Sequence, residues 1–511
     1  MRPLLDRLFG KKKSPESQEL YFSRSIKEVR KQLEQGIFGQ DDSIVYRTFF
    51  TAEPHERECL IVYPEAMTAN DFVSDFVVRP LSRETLDPGL KGEALARYLV
   101  EHVLPINAVK EVTSIADAAN EILTGDAALF VDGCASAFII PSKSLTFRQP
   151  TEPSAEAVVR GPREAFCESL AVNITLVRRR IRTPMLKFSY LQLGRQTQTK
   201  IAIAYVEGLA SPAIIEEVHQ RISEIEIDAV LDSGYIEELI QDAPLSPFKT
   251  IGHTERPDIV AARLLEGRVA ILVDGTPVAL TMPYLFVESL QANEDYFKHF
   301  ALASVDRLIR YICLFLSTST PAIYLALLAY HPILIPTQLA VSISASRQGV
   351  PFPAVIEVFM MGLIFEIMRE GGVRLPGPIG QALSIVGAIV LGDAAVQAQI
   401  VSAPMIIVVA ITAIAGFAVP RVYGVMILLR AFFSLCAGLL GLYGYFIGVI
   451  AVTIHMMSLR SFGVPYMVNF TTFDPQNIKD TALRVPWWHM RLRPRLIGVR
   501  DPQRLRKDGE R

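Results

Sequence analysis

Charge is spread so unevenly along this 511-residue chain that it must fold as two unlike parts: residues 308–468 carry 11 of its 104 charged side chains, and the other 350 positions carry 93. A stretch that poor in charge is suited to a bilayer, and the charge-rich remainder is suited to water. The mean hydropathy of +0.30 is too high for a wholly soluble protein with only 20% charged residues. A formal net charge of −2 lacks the concentrated basic face that phosphate backbones require, which sets nucleic acid aside as a partner. The five cysteines, Cys59, Cys134, Cys167, Cys313 and Cys436, lie far apart with no CxxC or Cys/His cluster. They read as small buried apolar residues; neither a metal site nor a disulfide framework is indicated, and no cofactor is implied. The N-terminus is basic, but its apolar stretch is too short for a signal peptide, so the soluble part is expected to stay in the cytoplasm.

The soluble part reads as mixed α/β. Helical spacing covers 25–35, stopped by Gly36, and recurs over 70–78, 93–103 and 114–123; strand patterns cover 43–50, 59–63 and 108–112. Two apolar runs, 128–133 and 136–141, flank Asp132-Gly133 and predict a hairpin. The same grammar returns 142 residues later, where LTGDAALFVDGCASAFIIP (123–141) aligns with LEGRVAILVDGTPVALTMP (265–283). The duplication predicts two related subdomains in tandem, 23–150 and 151–300, behind a basic segment 1–22. In the second, helices are expected over 162–182, 212–225 and 258–266 and strands over 185–193 and 200–206, with Pro257 and Asp258 starting the last helix and Gly267 stopping it. The repeated Val-Asp-Gly (Asp274, Gly275 in the second copy) reads as a turn whose Asp caps its own backbone and whose Gly supplies positive φ; a catalytic or metal role is the sharper alternative. Arg178, Arg179, Arg180 and Arg182 end a predicted helix, where positive charge suits the carbonyl pole, and read as a solvated end or a subunit contact. No phosphate loop, nucleophile elbow or HExxH pair occurs, so no enzyme is expected.

The apolar part is expected to be an α-helical multi-span domain over 301–468. Residues 311–330 run without a charge, long enough to cross a core of about 30 Å at about 1.5 Å per residue, and the STSTP run before Pro321 predicts a kink. Segments 332–346 and 354–368 are short, whereas 379–397, 400–419 and 422–459 are clearer, the last interrupted by Arg430. Cations at Arg491, Arg493, Arg495, Arg500, Arg504, Arg506 and Lys507 put the short tail 469–511 in the cytoplasm by the positive-inside rule. With both ends inside, four full crossings plus embedded elements around 333–368 are expected.

Carboxylates in such a setting mark function by default. Glu357 and Glu366 are nine positions apart, about 900° at about 100° per residue, hence on opposite faces of one helix. Glu366 has Arg369 at i+3, so it reads either as a structural ion pair or as a functional acid. Glu357 has no cation within a turn on its C-terminal side and reads as a pore or ion contact, or as part of an interfacial helix. Asp393 is the third such acid. Gly438, Gly441, Gly444 and Gly448 are placed near one face of the last span, where small residues permit close helix contact within a bundle or between subunits; a channel lining is the sharper alternative.

The segment HTERPDIVAARLLEGRVAILVDGTPVALTMPYLF (253–286), followed by QANEDYF (291–297), resembles the A subunit of GerA-type spore germinant receptors. The likeness extends through RGPREAF (160–166), the RRRI run from Arg179, residues 347–380 and residues 392–412, and covers roughly 156–495. It singles out Arg160, Gly161, Pro162, Arg163, Glu164, Thr254, Glu255, Arg256, Pro257, Asp258, Asp274 and Gly275 as motif residues with structural or interface roles. Gly362 stands where the family pattern is expected to carry a second acid. The resemblance implies a multi-pass subunit of the spore inner membrane that takes part in nutrient sensing. It further implies a homo-oligomer with an ion-conducting path, and partnership with a transporter-like B subunit and a lipoprotein C subunit. An accessory family member that amplifies germination without sensing nutrients, and a secondary transporter, are the alternatives.

Overall fold

The computed structural model describes residues 22–106, 108–143, 156, 158, 160–374, 392–471, 480–490, 492–493 and 503–504. All but the last residue of the basic segment 1–22, most of the expected span 379–397 and the tail cations other than Arg493 and Arg504 lie outside these residues.

Each half of the soluble part is a five-stranded antiparallel sheet between two layers of helix. In the first, β1 (Ile44–Phe50), β2 (Glu58–Pro64), β3 (Lys110–Val112), β4 (Ala127–Val131) and β5 (Ala137–Ile140) lie in the order β1-β2-β4-β5-β3. In the second, β6 (Leu186–Leu193), β7 (Thr199–Val206), β8 (Gly252–Thr254), β9 (Val269–Val273) and β10 (Ala279–Met282) lie in the order β6-β7-β9-β10-β8, the same topology. The duplication reaches well beyond the hairpin that reveals it. Ile44 and Leu186, Lys110 and Gly252, Ala127 and Val269, and Ala137 and Ala279 open equivalent strands, each pair 142 positions apart. Helix α1 (Ile115–Leu123) has its counterpart at the same offset.

Strand pleating puts successive side chains on opposite faces. Cys59, Ile61 and Tyr63 of β2 face the helical turns spanning 70–83 and 93–103, while Leu60 and Val62 face α1 and the helix that opens at Ile26. In the second sheet Ile201 and Ile203 pack on α3 (Pro212–Ser223) and α4 (Ser233–Ile240). Ala202 and Ala204 pack on α2 (Leu170–Arg180) and α5 (Pro257–Leu265).

Several boundaries differ from the sequence expectation for identifiable reasons. The first helix does not stop at Gly36: a wider helical turn, Gln32–Ile37, carries it on to the fully buried Phe38. Glycine permits a left-handed stop but does not compel one. The helix expected over 162–182 begins only at Leu170, because Phe166 N–H donates to the Glu255 carbonyl and Asn173 bonds both the N–H and the carbonyl of Cys167, pinning the segment before it extended. Helix α4 and strand β8 go beyond the sequence pattern; Asp232 caps α4 through Gly234 N–H.

The two subdomains are locked together at α2. Arg178, expected as part of a solvated helix end, is instead buried against Asp41 at 2.5 Å and Ser43, and it lies over the Phe188 ring. Arg179, Arg180 and Arg182 stay at least partly exposed, the first two near Glu164.

The apolar part is helical: α6 (Phe300–Ala329), α7 (Thr337–Ser346), α8 (Ala354–Arg374), α9 (Ala403–Phe417) and α10 (Tyr423–Ser458). Among the described residues, two helical stretches, Phe300–Ala329 and Pro420–Ser458, are long and apolar enough to cross a membrane. Helix α6 continues through Pro321, with the hydroxyls of Thr318 and Thr320 donating to the carbonyls of Leu314 and Leu316.

Helix α10 corrects the expectation of one glycine-faced span. At Gly441 the backbone leaves the helix (φ +62°, ψ −143°) and the chain doubles back. Phe433 packs edge-on against Tyr445, and Met426 shares a cluster with Met456. The four glycines therefore line a helical hairpin rather than one helix face. Gly438 lies against Leu325 and Val355, Gly441 against Tyr330, Gly444 against the Cys436 carbonyl and Gly448 against Phe433. The Tyr330 hydroxyl donates to the carbonyls of Gly438 and Leu439, tying the hairpin tip to the end of α6.

Candidate functional site

Helix α8 carries two of the three carboxylates, and each finds its partners on other elements. Glu357, in the first turn of α8, is fully buried. Its Oε2 accepts from Arg347 Nη1 at 3.0 Å; its Oε1 accepts from Ser402 Oγ at 2.6 Å and from Ser402 N–H. Ser402 is the residue before α9, so this acid satisfies a donor at a helix start, where the dipole favours negative charge. The cation sought on the C-terminal side of Glu357 lies ten residues on its N-terminal side, brought back by the turn between α7 and α8. With both oxygens bonded within the chain, Glu357 ties the turn before α8 to the start of α9.

Glu366, more than two turns on, sits in a different cluster. Arg369 Nε donates to Oε2 at 2.8 Å, as the i+3 spacing predicts, and Arg430 Nη2 of α10 donates to Oε1 at 2.6 Å, with Tyr423 Oη at 3.3 Å. The Arg369 guanidinium lies over the Tyr423 ring and reaches Glu370 at 3.9 Å. Glu366 and Arg430 border a cavity of about 200 Å³ lined by α6, α8, α9 and α10, with Pro321, Gly362, Thr412 and Ser434 on its wall. The glycine at 362 leaves room there. Arg430 was legible as the single charge in the 422–459 stretch, since a lone intramembrane charge needs a counter-charge; which acid it meets was not legible. Asp393 differs from both: it is exposed and accepts from Gln397 Nε2 at 2.7 Å.

Part of the motif gathers where the second subdomain meets the segment before α6. Arg256, buried, makes a two-pronged contact with Asp258 at 2.9 and 3.1 Å and donates to the carbonyls of Pro162 and Glu156. Thr254 accepts from Arg256 N–H and donates to Glu156, while Pro257 opens α5. Gly161, at φ +144°, leaves room for the Phe297 ring. Glu164 pairs with Arg180, and Arg160 and Arg163 are exposed. Gly275 takes φ +90° as the turn requires, but the Asp274 carboxylate caps Leu170 N–H at the start of α2, not its own loop. A helix start, with its free N–H donors, holds a carboxylate more strongly than the turn does.

Beyond α5 the QANEDYF motif forms a clamp. Asp295, fully buried, accepts from Arg307 Nε at 2.9 Å and from Arg310 at 2.7 and 2.8 Å; Arg307 also holds Asp480 at 2.7 Å, and Tyr296 Oη donates to Asp480. Burial works against ionisation of Asp295, but the bonds from Arg310 and Arg307 outweigh it and hold the carboxyl below the usual range. Burial pushes Asp480 up instead. The clamp fixes α6 to the soluble part and to the chain beyond α10.

A second cavity, of about 340 Å³, lies between β8 and the start of α10, with Lys249, His253 and Arg421 on its wall. Burial, and then the neighbouring Lys249 ammonium, hold the His253 imidazole below the usual histidine range.

Residues 31–496 match the family described as Bacillus/Clostridium GerA spore germination protein. The chain is 41% identical over 489 residues to spore germination protein KA of Bacillus subtilis (strain 168), covering 95% of this chain and 88% of that protein. It is 43% identical over 437 residues to the uncharacterized membrane protein YfkQ of the same organism, covering 85% and 84%, and 38% identical over 479 residues to spore germination protein GerLA of Bacillus cereus, covering 93% and 95%. Among solved structures, the N-terminal domain of the A subunit of the Bacillus megaterium spore germinant receptor GerK3 is 30% identical, covers 52% of this chain and 98% of that one, and superposes with a TM-score of 0.39. By a match that takes in both sheets and the helical part alike, the chain belongs to the GerA family of spore germination proteins.

Proposed function

We propose that this chain is the A subunit of a nutrient germinant receptor of the spore inner membrane, that it scaffolds B and C partner subunits, and that several copies enclose an ion-conducting path whose opening starts germination. Family membership supports the receptor role. The observation that carries the oligomer is on α6. Leu302, Val305, Ile309 and Ile312 are exposed along one side, while Arg307 and Arg310 of the same turns are locked to Asp295 on the other. That apolar stripe begins before the uncharged stretch and follows the 3-4-3 spacing of a helix seam, which suits another copy of the chain better than lipid.

Helices α6, α8 and α9 and the two halves of α10 serve as membrane passes in this reading, each half of α10 being about 25 Å long at about 1.5 Å per residue. Cytoplasmic placement of both ends requires an even number of passes, for which the sequence offers the apolar segment 379–397 in addition to these five. Of the three acids, Glu366 borders a cavity and Asp393 is open to water or a neighbouring subunit, so these two, with Arg369 and Arg430, are the candidates for the conducting path. Ligand capture by a partner can open such a path only to the extent that the ligand binds the two states unequally.

Ion release and germination in spores carrying Asp393→Asn or Glu366→Gln at normal protein level test the path. Slowed or altered release is expected from at least one; unchanged release from both removes the conduction reading and leaves the receptor role standing.

A further inference from the structure

We propose that the second subdomain is seated on the membrane surface, with Leu245 and Leu239 inserted at headgroup depth beside the end of α10. The inference rests on the reading above that α10 crosses the membrane and returns to the cytoplasmic face.

Leu245 is 99% exposed, the most exposed large apolar side chain of the described residues, on a loop that is otherwise held firmly. Asp242 accepts from Arg221 and from Phe462 N–H, just beyond α10. Ser246 is hydrogen-bonded to His455 at 2.9 Å, and Phe248 packs in the cluster that contains Met456 and Leu459. The loop thus lies alongside the last turn of α10, level with Ile454 and Met457, which are 62% and 54% exposed. Those two are lipid-facing if α10 spans, and Leu245, one residue from the His455 contact, stands next to them. Leu239 (54% exposed) and Tyr235 lie one turn apart on the outward side of α4, just before the loop. Glu238, exposed beside Leu239, keeps α4 at the surface instead of letting it sink among the acyl chains.

An exposed leucine on a loop pinned beside a membrane helix, with a second on the helix just before it, is the pattern of an interfacial anchor, in which apolar tips enter the headgroup boundary and a tyrosine stays at its polar edge. Such a seat fixes the height and tilt of the second sheet relative to α6, so that rearrangement in the membrane is transmitted through the Asp295 clamp to the soluble part.

The full chain, in phosphatidylglycerol–phosphatidylethanolamine vesicles, tests this with single Leu245→Trp, Ile454→Trp and Phe50→Trp substitutions, read against the signal of native Trp487 and Trp488. Lipids brominated near the glycerol end of the acyl chains are expected to quench the residue placed at 245 as they quench that at 454, leaving that at 50, an exposed site on β1, unquenched. Quenching at 454 without quenching at 245 overturns the seat and leaves the crossing intact. A blue-shifted but unquenched signal at 245 also overturns it, since protein then covers the site. Absence of quenching at 454 removes the crossing itself, and the seat with it.

Discussion

Glu357 and Ser402 are joined by two hydrogen bonds across 45 residues, one from the hydroxyl and one from the backbone N–H at the start of α9. A buried carboxylate so placed does three things at once: it satisfies a helix-start donor, neutralises Arg347 and fixes the separation of α8 from α9.

Glu357→Ala should therefore lower the stability of the helical part by about 3–5 kcal/mol, the usual cost of breaking a buried pair from one side. Glu357→Gln, which retains an acceptor for Ser402 but loses the charge opposite Arg347, should cost less. Denaturation in detergent micelles compares the two. Equal stability of Glu357→Ala and the parent would show that the tie is not structural.

The hairpin in α10 depends on the absence of side chains. A Cβ on Gly444 would stand 2.0 Å from the Cys436 carbonyl oxygen, a backbone atom that cannot swing aside, and one on Gly441 would stand 2.8 Å from Tyr330 Cβ at a positive φ. Gly441→Ala is expected to cost about 1–3 kcal/mol through strain, and Gly444→Ala more, because the two arms must separate. Gly424→Ala, where a Cβ meets nothing within 4 Å, is the matched control and should leave thermal stability unchanged.

Arg178 and Asp41 bridge the two subdomains, both fully buried at the side chain. Arg178→Ala should destabilise the soluble part by about 3–5 kcal/mol, since Asp41 is left buried without its cation. Arg178→Ala combined with Asp41→Ala should cost less than the sum of the two single changes. Strict additivity in the double-mutant cycle would show no coupling across that interface.

His253 adds a pH dependence with a definite sign. Its folded-state pKa is depressed, so the folded protein takes up the proton less readily than the unfolded chain. The associated stability is present above the unfolded value of about 6.5 and is lost as pH falls through the lower folded one. Lys249 and Arg421 oppose protonation, whereas Glu237 and Glu156 favour it. Melting of the full chain should fall between pH 7 and pH 5 by an increment that is absent in His253→Gln; an identical fall in the variant would place the dependence elsewhere.

How far the sequence could be read depended on the range of the interaction. Hydropathy and charge are summed locally, so the division near residue 300, the strands around Asp132 and Asp274 and the 142-residue repeat were all legible from the chain alone. The i+3 pair of Glu366 and Arg369 was legible for the same reason. Partners fixed by folding were not: Arg347 and Ser402 reach Glu357, Arg430 reaches Glu366 across 64 positions and Asp41 reaches Arg178 across 137. Nor was the reversal at Gly441 legible, because a glycine in an apolar run is as compatible with a straight span as with a turn, and only packing against Tyr330 and Cys436 separates the two. Composition and periodicity alone determined that half of this protein is a duplicated α/β unit and half a set of apolar helices carrying isolated charges. The tertiary structure decided which of those charges are already answered within the chain and which remain open, because neutralisation of a buried ion depends on distance in space and not on distance in sequence.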